Sequence, residues 1–269
     1  MALVTAPDPA ADGYNCLAPF YDRFTAEYAY GRWLDAIEDQ ARSLGLRGRR
    51  ALDLACGTGK STEALLTRGY SVVACDISEA MIAQAKRNLP AYSDAFSVAD
   101  MRELPQLGTF DFVLCLDDAI NYLLSDQELD ATFSGVSRVL ARNGVFAFDV
   151  NSLLTYRTSF AETAVQEADG AFFAWRGEGA SSLAPGDTSS AVVEIFAQRD
   201  DGLWERHTMR HLQRHHPRRA IHLALDQAGL ECCATFGQHP GARLDPLVDE
   251  ERHIKLVHFA KRRNTDTRR

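Results

Sequence analysis

The sequence lacks several features that would place it in whole classes of protein. No window approaches the roughly 20 consecutive apolar residues of a membrane span, and residues 1–7 have neither the charged start nor the apolar core of a signal peptide. The formal net charge of −8 argues against non-specific nucleic-acid binding. The six cysteines contain no CxxC pair and are expected to be free thiols in a reducing compartment. We therefore expect a cytoplasmic protein without a nucleic-acid or membrane partner.

What the sequence has is a short apolar run that ends in a turn of small residues, at residues 51–59. Gly57 and Gly59 allow the backbone to turn tightly and to come close to a ligand. A second apolar run, at residues 71–75, ends on Asp76. A carboxylate at this distance after the glycines can accept hydrogen bonds from the two hydroxyls of a ribose.

Two better-known nucleotide motifs fit this stretch poorly. The dinucleotide fingerprint needs a third Gly or Ala at position 62, which is Thr62. A phosphate-binding P-loop would end on Gly59-Lys60-Ser61, but its first glycine would fall on Leu54. With the P-loop disfavoured, Lys60 is expected to be an exposed residue of the first turn of a helix.

The stretch resembles motif I of the class I S-adenosylmethionine (SAM)-dependent methyltransferases, an acidic-x-Gly-x-Gly-x-Gly pattern. Here it reads Asp53-x-Ala55-Cys56-Gly57-Thr58-Gly59, and Ala55 replaces the first glycine. We expect that position to need a small residue more than a flexible one. The resemblance covers residues 14–150 and 217–261. It implies a Rossmann-like α/β fold, with a seven-stranded, mostly parallel sheet, helices on both faces and an N-terminal helical cover. The inserted antiparallel β lid that we also expect lies outside the resemblance.

The order of the predicted elements divides the chain into four parts. Strand and helix alternate up to residue 150, which is typical of a parallel sheet covered on both faces. The alternation then stops, and strand-like pieces follow at 171–175, 191–196 and 203–214. The four expected parts are a helical cover at 1–46, the SAM-binding core at 47–150, a β lid for the substrate at 151–216, and the rest of the core sheet at 217–269.

The resemblance implies that SAM lies along the carboxyl ends of the core strands and leaves as S-adenosylhomocysteine. Asp76 would hold the ribose, while Ile77 and Met101 would lie against the adenine. Asp100 would accept a hydrogen bond from the adenine amino group, although a role as a helix cap or turn residue is the alternative. The implied cofactor-binding residues are Tyr21, Trp33, Asp53, Ala55, Cys56, Gly57, Gly59, Asp76, Ile77, Met81, Asp100, Met101, Leu116 and Asp118.

Aromatic residues of the N-terminal segment are expected to reach the reacting methyl group. The resemblance implies this for the Tyr-Asp-x-Phe stretch at 21–24, and packing in the core is the alternative for these rings. The acidic and aromatic stretch 117–123 suits a loop that faces the substrate. The expected catalytic residues are Tyr14, Tyr21 and His211, and the expected substrate contacts are Tyr14, Asp117, Asn121, Tyr122, His207 and His211.

No metal site is expected. His207, His211 and His215 alternate with arginines along one predicted strand, where residues four apart are separated by roughly 13 Å. Metal ligands must instead converge to about 2.1 Å from one ion. One of these histidines as a general base is the more plausible role, and a surface position is the default. No Cys–His or Ser–His–Asp arrangement can be inferred from the spacing, and none is needed, because SAM carries the reactive methyl group itself.

The sequence therefore predicts a SAM-dependent methyltransferase that acts on a small molecule in specialised (natural-product) metabolism. N-methylation of an amine is favoured, because nitrogen is nucleophilic once it has lost its proton. C- or O-methylation of an aromatic or heterocyclic small molecule is the alternative. A P-loop-like nucleotide hydrolase and a non-catalytic SAM-binding partner protein are more remote. A homo-oligomer formed through the N-terminal segment or the lid is left open.

Overall fold

The computed structural model describes residues 8–199 and 201–263. The helices in this part of the chain are α1 (Pro9–Leu17), α2 (Tyr21–Phe24), α3 (Tyr30–Ser43), α4 (Lys60–Thr67), α5 (Glu79–Asn88), α6 (Asp126–Val139), α7 (Leu153–Arg157) and α8 (Arg218–Gln227). The strands are β1 (Arg50–Leu54), β2 (Ser71–Asp76), β3 (Phe96–Val98), β4 (Phe110–Cys115), β5 (Leu140–Asn151), β6 (Thr163–Ala168), β7 (Ala171–Gly177), β8 (Thr188–Gln198), β9 (Trp204–Arg214), β10 (Leu230–Gln238), β11 (Leu244–Asp245) and β12 (Lys255–Arg262). Short 3₁₀ turns lie at Pro90–Ala95, Met101–Glu103, Ala119–Tyr122 and Pro240–Ala242.

One sheet carries the core, with the strand order β11-β10-β12-β5-β4-β1-β2-β3. Strands β1 to β5 are parallel, whereas β12 is antiparallel to β5 and β10 is antiparallel to β12. The predicted Rossmann-like fold is thus confirmed, with one difference in the number of strands. The sheet has eight strands rather than seven among the described residues, because the two-residue β11 is too short to leave a hydrophobic pattern.

The core lies on both faces of this sheet. Phe112, Val113 and Leu114 on the central strand β4 are all fully buried, as expected for a strand covered on both sides. On one face of the sheet, Phe133 of α6 packs in a hydrophobic cluster. On the other face, Leu34 of α3 packs in a second hydrophobic cluster. The two helical layers leave the carboxyl ends of the parallel strands free for a ligand.

The N-terminal helices lie over that edge of the sheet. Asp8 begins α1 by accepting hydrogen bonds from the N–H groups of Ala10 and Ala11 at 2.9 and 3.1 Å. Helix α1 packs on β9 and on α5. The described part of the chain contains no helix that is long and apolar enough to span a bilayer.

A second sheet is inserted between β5 and α8. It is antiparallel, with the order β6-β7-β8-β9. The sequence predicted three of its strands as pieces of a lid but not β6, whose mostly exposed residues show no buried stripe. The tip of the hairpin between β8 and β9 includes residue 200, which lies outside the described residues.

Candidate active site and cofactor pocket

A cavity of about 880 Å³, solvent at its mouth included, lies between the carboxyl ends of β1, β2 and β4 and the N-terminal helices. The predicted site residues that line it are Tyr14, Tyr21, Ala55, Cys56, Gly57, Asp76, Ile77, Asp100, Met101, Leu116, Asp117 and Tyr122. Four polar residues that the sequence did not point to also line it, namely Asp8, Tyr30, Ser61 and Arg102.

The turn after β1 is built on left-handed backbone. Gly57 has φ +54° and its N–H donates to Asp76 Oδ2 at 2.9 Å. Gly59 has φ +90°, and a Cβ there would lie 3.2 Å from the Phe96 ring, so this glycine serves packing beneath the turn rather than the cavity wall. Ala55 also has a positive φ, 55°. The expectation that position 55 needs small size more than flexibility is therefore wrong, because its backbone favours glycine.

Four other expected cofactor residues lie outside the cavity lining. Asp53 is buried under the turn, where its Oδ2 accepts hydrogen bonds from the hydroxyls of Ser61 and Thr62 at 2.7 and 2.6 Å. Burial raises the pKa of Asp53 to about 6, although these hydroxyls lower it. Asp53 thus fixes the turn and the start of α4, and this corrects its assignment as a direct contact.

Three other expected cofactor residues, Met81, Trp33 and Asp118, also lie outside the cavity lining. Met81 on α5 is fully buried in the cluster that contains Leu17 and Ala18. Trp33 on α3 is buried too, with its ring 5.3 Å from Lys255 Nζ. Asp118 faces the protein interior, as described below. The spacing of these residues along the chain gave no indication of which face they occupy.

Asp76 stands at the end of β2 with its carboxylate fixed by the backbone. Its two oxygens accept hydrogen bonds from the N–H groups of Gly57 and Ser78 at 2.9 and 2.8 Å. Burial raises its pKa above the usual value, while these N–H groups act to lower it. The remaining lone pairs are available to a ligand in the cavity that the residue lines.

Arg102 closes one end of the cavity by joining three acidic residues. Its Nε lies 2.9 Å from both oxygens of Asp100, its Nη2 lies 2.5 Å from Asp8 Oδ2, and its Nη1 lies 3.2 Å from Glu128 Oε1. Asp100 also caps the turn Met101–Glu103, so the alternative role of a cap applies to it alongside its place in the lining. Asp8 followed by a proline is a helix-start signal that could have drawn attention to this contact.

A line of hydrogen bonds runs from the cavity to the lid. The Tyr14 hydroxyl lies 2.9 Å from that of Tyr122, which lies 2.5 Å from His211 Nδ1. The His211 ring stacks on Trp175 of β7 with centroids 5.4 Å apart. Burial lowers the pKa of His211 to about 4 and raises those of Tyr14 and Tyr122 far above their usual range. At neutral pH all three side chains are therefore uncharged.

A buried ion cluster supports the wall of the cavity behind Asp117. Lys255 Nζ on β12 lies 3.0 Å from Asp117 Oδ1, 2.8 Å from Asp118 Oδ1 and 2.9 Å from Asp149 Oδ2. Burial acts to lower the pKa of Lys255, but the three carboxylates raise it well above the usual value. Burial raises the pKa of Asp149 to about 6 and also raises that of Asp118.

Hydrogen bonds fix this cluster in place. The N–H groups of Asp117 and Asp118 donate to the two oxygens of Asp149 at 2.7 and 2.9 Å. The hydroxyls of Tyr21 and Tyr30 donate to Asp117 Oδ2 at 3.3 and 3.0 Å. Asp149 and Lys255 could not be found from the sequence, because they come from β5 and β12 and no local pattern connects them to residue 117.

Three expected substrate contacts do not line the cavity. Asn121 is fully buried, donates to the Arg214 carbonyl at 2.8 Å, and accepts from the Asn151 N–H at 2.8 Å. His207 packs on Phe20 with ring centroids 4.9 Å apart and does not line the cavity. His211 does not line the cavity either, but its ring contacts the two lining residues Tyr122 and Tyr14.

Lys60 is not the exposed residue that the sequence predicted. Its ammonium group lies 2.7 Å from Thr25 Oγ1, 3.1 Å from the Thr25 carbonyl and 3.3 Å from the Asp22 carbonyl. Burial lowers its pKa, whereas the Asp22 carboxylate acts to raise it. Lys60 therefore ties the N-terminal cover to α4. Its ammonium group is committed to the cover, unlike that of a P-loop lysine, which grips phosphates.

Comparison with known proteins agrees with this architecture. A family model described as a methyltransferase domain matches residues 51–144. A protein of Geobacillus sp. (strain WCH70) that carries the name of a methyltransferase is 31% identical over 207 residues, which cover 74% of this chain and 81% of the relative. The chain therefore belongs to the class I SAM-dependent methyltransferases.

Solved structures show the same fold over nearly the whole chain. A SAM-dependent methyltransferase from Clostridium acetobutylicum ATCC 824 has a TM-score of 0.75 and 24% identity, covering 93% of this chain and 99% of that one. The sugar N-methyltransferase KedS8 from Streptoalloteichus sp ATCC 53650 has a TM-score of 0.68 and 23% identity, covering 90% of this chain and 93% of that one. The lid and the N-terminal cover are thus included in the shared architecture.

The cavity fits SAM as the cofactor of this enzyme. The carboxylate of Asp76, fixed at the end of β2, suits the two ribose hydroxyls. Ile77 and Met101 also line the cavity and would offer apolar surface to the adenine. Asp117 offers a negative charge next to the aromatic wall of Tyr14 and Tyr21, where the charged sulfonium end would lie.

Proposed function

We propose that this enzyme transfers the methyl group of SAM to an amine nitrogen of a small molecule in natural-product metabolism. One observation carries the proposal: the wall of the cavity around Asp117 carries several carboxylates, and no histidine or lysine is among the described residues that line the cavity. SAM supplies an activated methyl group on a sulfonium. The residues of the chain then determine which kind of acceptor the site can serve.

The charge of the cluster suits a nitrogen acceptor. Three carboxylates surround one ammonium group, so the cluster is negative overall whenever more than one of them is ionised. An amine gains positive charge as it is methylated. Asp117 on the cavity wall stabilises that developing charge without having to move, because Tyr21, Tyr30 and Lys255 already hold it.

The weak basicity of the surrounding groups points in the same direction. An alcohol or phenol must lose a proton as it is methylated, and a base near neutral pKa does this best. Burial keeps Tyr14 and Tyr122 protonated, and it lowers the pKa of His211 to about 4, too low for an effective base. An amine that binds as the free base needs no proton removed before it reacts.

These assignments give each residue a distinct role. Tyr14 and Tyr21 are the proposed catalytic residues, because both line the cavity and can orient the acceptor. His211 is a positioning residue rather than the general base expected from the sequence, since it acts through Tyr122. Asp117 is the proposed substrate contact. KedS8 is a sugar N-methyltransferase, but at its level of identity the likeness carries the fold alone.

The experiment is a product analysis with SAM labelled with ¹³C on the methyl group. The enzyme is incubated with amino sugars, aromatic amines, and phenols of matched shape, and the methyl chemical shift is read by NMR. We expect an N-methyl signal and a kcat/KM that rises with pH toward the pKa of the amine. An O-methyl or C-methyl signal as the main product would overturn the choice of acceptor.

A matched pair of variants tests the roles of the tyrosines. Tyr14→Phe should lower kcat about ten- to a hundredfold through loss of alignment, with little change in melting temperature. Tyr92→Phe, on an exposed tyrosine far from the cavity lining, is the control and should keep the wild-type rate. Equal losses of stability and rate in Tyr14→Phe would show that the ring only packs.

A further inference from the structure

Three potential metal ligands converge near the outer edge of the main sheet. His239 Nε2 lies 3.5 Å from Asp245 Oδ2, and His253 Nε2 lies 3.8 Å from the same oxygen. The ligand atoms of all three residues lie within 4.8 Å of one another. Sequence spacing did not suggest this group, because the residues come from the end of β10, from β11 and from the loop before β12.

The distances fit a shared ion better than direct hydrogen bonds. An N–H···O bond has its heavy atoms about 2.7–3.2 Å apart, and both imidazole contacts to Asp245 are longer. Ligands about 2.1 Å from a tetrahedral ion stand about 3.4 Å from each other. The observed 3.5 and 3.8 Å are close to that edge length.

The backbone orients His253 in the way that metal-binding histidines are usually oriented. Its Nδ1 lies 2.8 Å from the Asp249 carbonyl oxygen and 3.1 Å from the Asp249 N–H. The shorter contact needs a proton on Nδ1, which leaves the lone pair of Nε2 for an ion. A Cβ at position 237 would lie 2.2 Å from this Nδ1, so Gly237 provides the room that the ring occupies.

The other two ligands sit on a hairpin that is already formed. Gly237 pairs with Asp245 across β10 and β11, and the His239 N–H donates to the Arg243 carbonyl at 3.0 Å. The Ile254 N–H donates to the Gln238 carbonyl at 3.0 Å, which holds the residue after His253 beside the hairpin. Binding an ion here requires little rearrangement of the backbone.

We propose that His239, Asp245 and His253 form a Zn²⁺-binding site that fastens the β10–β11 hairpin to the start of β12. Two imidazoles and one carboxylate form a mixed nitrogen and oxygen set that suits zinc better than Ca²⁺ or Mg²⁺. His239 and Asp245 are partly exposed, so the ion can enter from solvent and keep water as its fourth ligand. The site does not depend on the identity of the methyl acceptor.

A second cluster, His222, Cys232 and His258, provides a comparison within the same protein. In it His258 Nδ1 is already 3.1 Å from Thr235 Oγ1, so this nitrogen is engaged by a hydroxyl. Burial and the neighbouring His222 lower the pKa of His258, and the positive charge of Arg218 lowers it further. This neighbouring charge opposes a bound cation, so the second cluster is the matched control.

The test uses the full, tag-free enzyme after removal of metals with a chelator. Calorimetric titration with ZnCl₂ should give one ion per chain. Asp245→Asn and His239→Ala change partly exposed residues, and each should weaken binding by at least about tenfold, whereas His222→Ala should leave it unchanged. Zinc should raise the melting temperature of the wild type but not that of Asp245→Asn.

Cobalt provides an independent spectroscopic readout of the same ligands. Co²⁺ bound by the wild type should show the visible absorption of a tetrahedral site, and His239→Ala should abolish it while His222→Ala retains it. The proposal is overturned if the wild type binds no zinc, or if binding survives both Asp245→Asn and His239→Ala. Loss of binding in His222→Ala alone would assign the ion to the second cluster and likewise overturn it.

Discussion

Replacing Lys255 by methionine should destabilise the enzyme and make its stability depend on pH in a defined way. The substitution keeps the length of the side chain but removes the only positive charge that contacts the three carboxylates of Asp117, Asp118 and Asp149 within the described residues. What remains is a buried negative cluster without its cation.

The magnitude follows from the three contacts at 2.8–3.0 Å. At an effective dielectric constant of about 20, each such pair interacts by about 5 kcal/mol before desolvation. Desolvation of the ammonium group offsets several kcal/mol of this sum, and removal of one partner from a buried pair costs about 3–5 kcal/mol net. For a chain of this size, that corresponds to a fall in melting temperature of roughly 6–20 °C.

The pH dependence distinguishes an electrostatic cause from a loss of packing. Without Lys255, the pKa values of Asp118 and Asp149 should rise further in the folded state than burial already raises them. A carboxyl whose pKa is raised by folding binds its proton more tightly in the folded state, so its protonation favours folding as pH falls. The stability gap between wild type and Lys255→Met should therefore narrow between pH 7.5 and 5.5.

The assay is denaturant unfolding at several pH values. The control is Lys86→Met, on an exposed lysine of α5, which should stay within about 0.5 kcal/mol of wild type. A Lys255→Met protein within 1 kcal/mol of wild type, or one whose deficit stays constant with pH, would refute the electrostatic account of the cluster.

Three further predictions concern the cofactor, the cover and acid stability. Asp76→Asn should weaken SAM binding by one to three orders of magnitude, because hydrogen bonds to a charged group contribute about 1.5–3 kcal/mol each; an unchanged dissociation constant in calorimetry would remove Asp76 from the ribose site. Lys60→Met should lose about 1–2 kcal/mol of stability with its contacts to the cover, measured by denaturant unfolding, and the wild type should bind no ATP. Burial lowers the pKa of His211 to about 4 and that of His258 to about 3. Both histidines therefore stay neutral in the folded state at pH 5, whereas in the unfolded state they take up protons as pH falls below 6.5. Each should thus reduce the free energy of unfolding by about 2 kcal/mol between pH 7 and 5. His258→Gln should therefore reduce the loss of stability over that range by a similar amount, and an unchanged pH profile would show that this histidine is not buried in its neutral form.

The part of the site that could be predicted from the sequence depends on short-range signals. The strand, the glycine turn and Asp76 lie within 26 residues. Each can be predicted from a local property of the sequence, namely burial, backbone conformation or strand length. The same logic predicted the alternation of strands and helices and three of the four strands of the lid. Strand β6 was not predicted, because its exposed residues show no hydrophobic period.

The rest of the site depends on contacts that no local pattern encodes. Lys255 meets Asp117 across 138 positions of the chain, and His211 meets Tyr122 across 89. Lys60 looked like an exposed helix residue, since nothing near it in sequence reveals the Thr25 oxygens above it. Which charged side chains are paired is decided by the packing of distant strands, so the sequence gives candidates for such a cluster but not its members.

Asp149 belongs to the ion cluster and also holds a strained stretch of backbone. Asp117 and Asp118 both adopt positive φ, at 63° and 53°, directly after β4. Residues held in this way cost of order 1–3 kcal/mol each and persist only where the surroundings fix them. The carboxylate of Asp149 does this by accepting both N–H groups while it contacts Lys255. Since Asp149 is fully buried on β5, the core sheet sets the backbone position of Asp117 on the cavity wall, and Gln213 of the lid strand β9 adds to the charged cluster by donating to Asp118 Oδ2 at 2.5 Å.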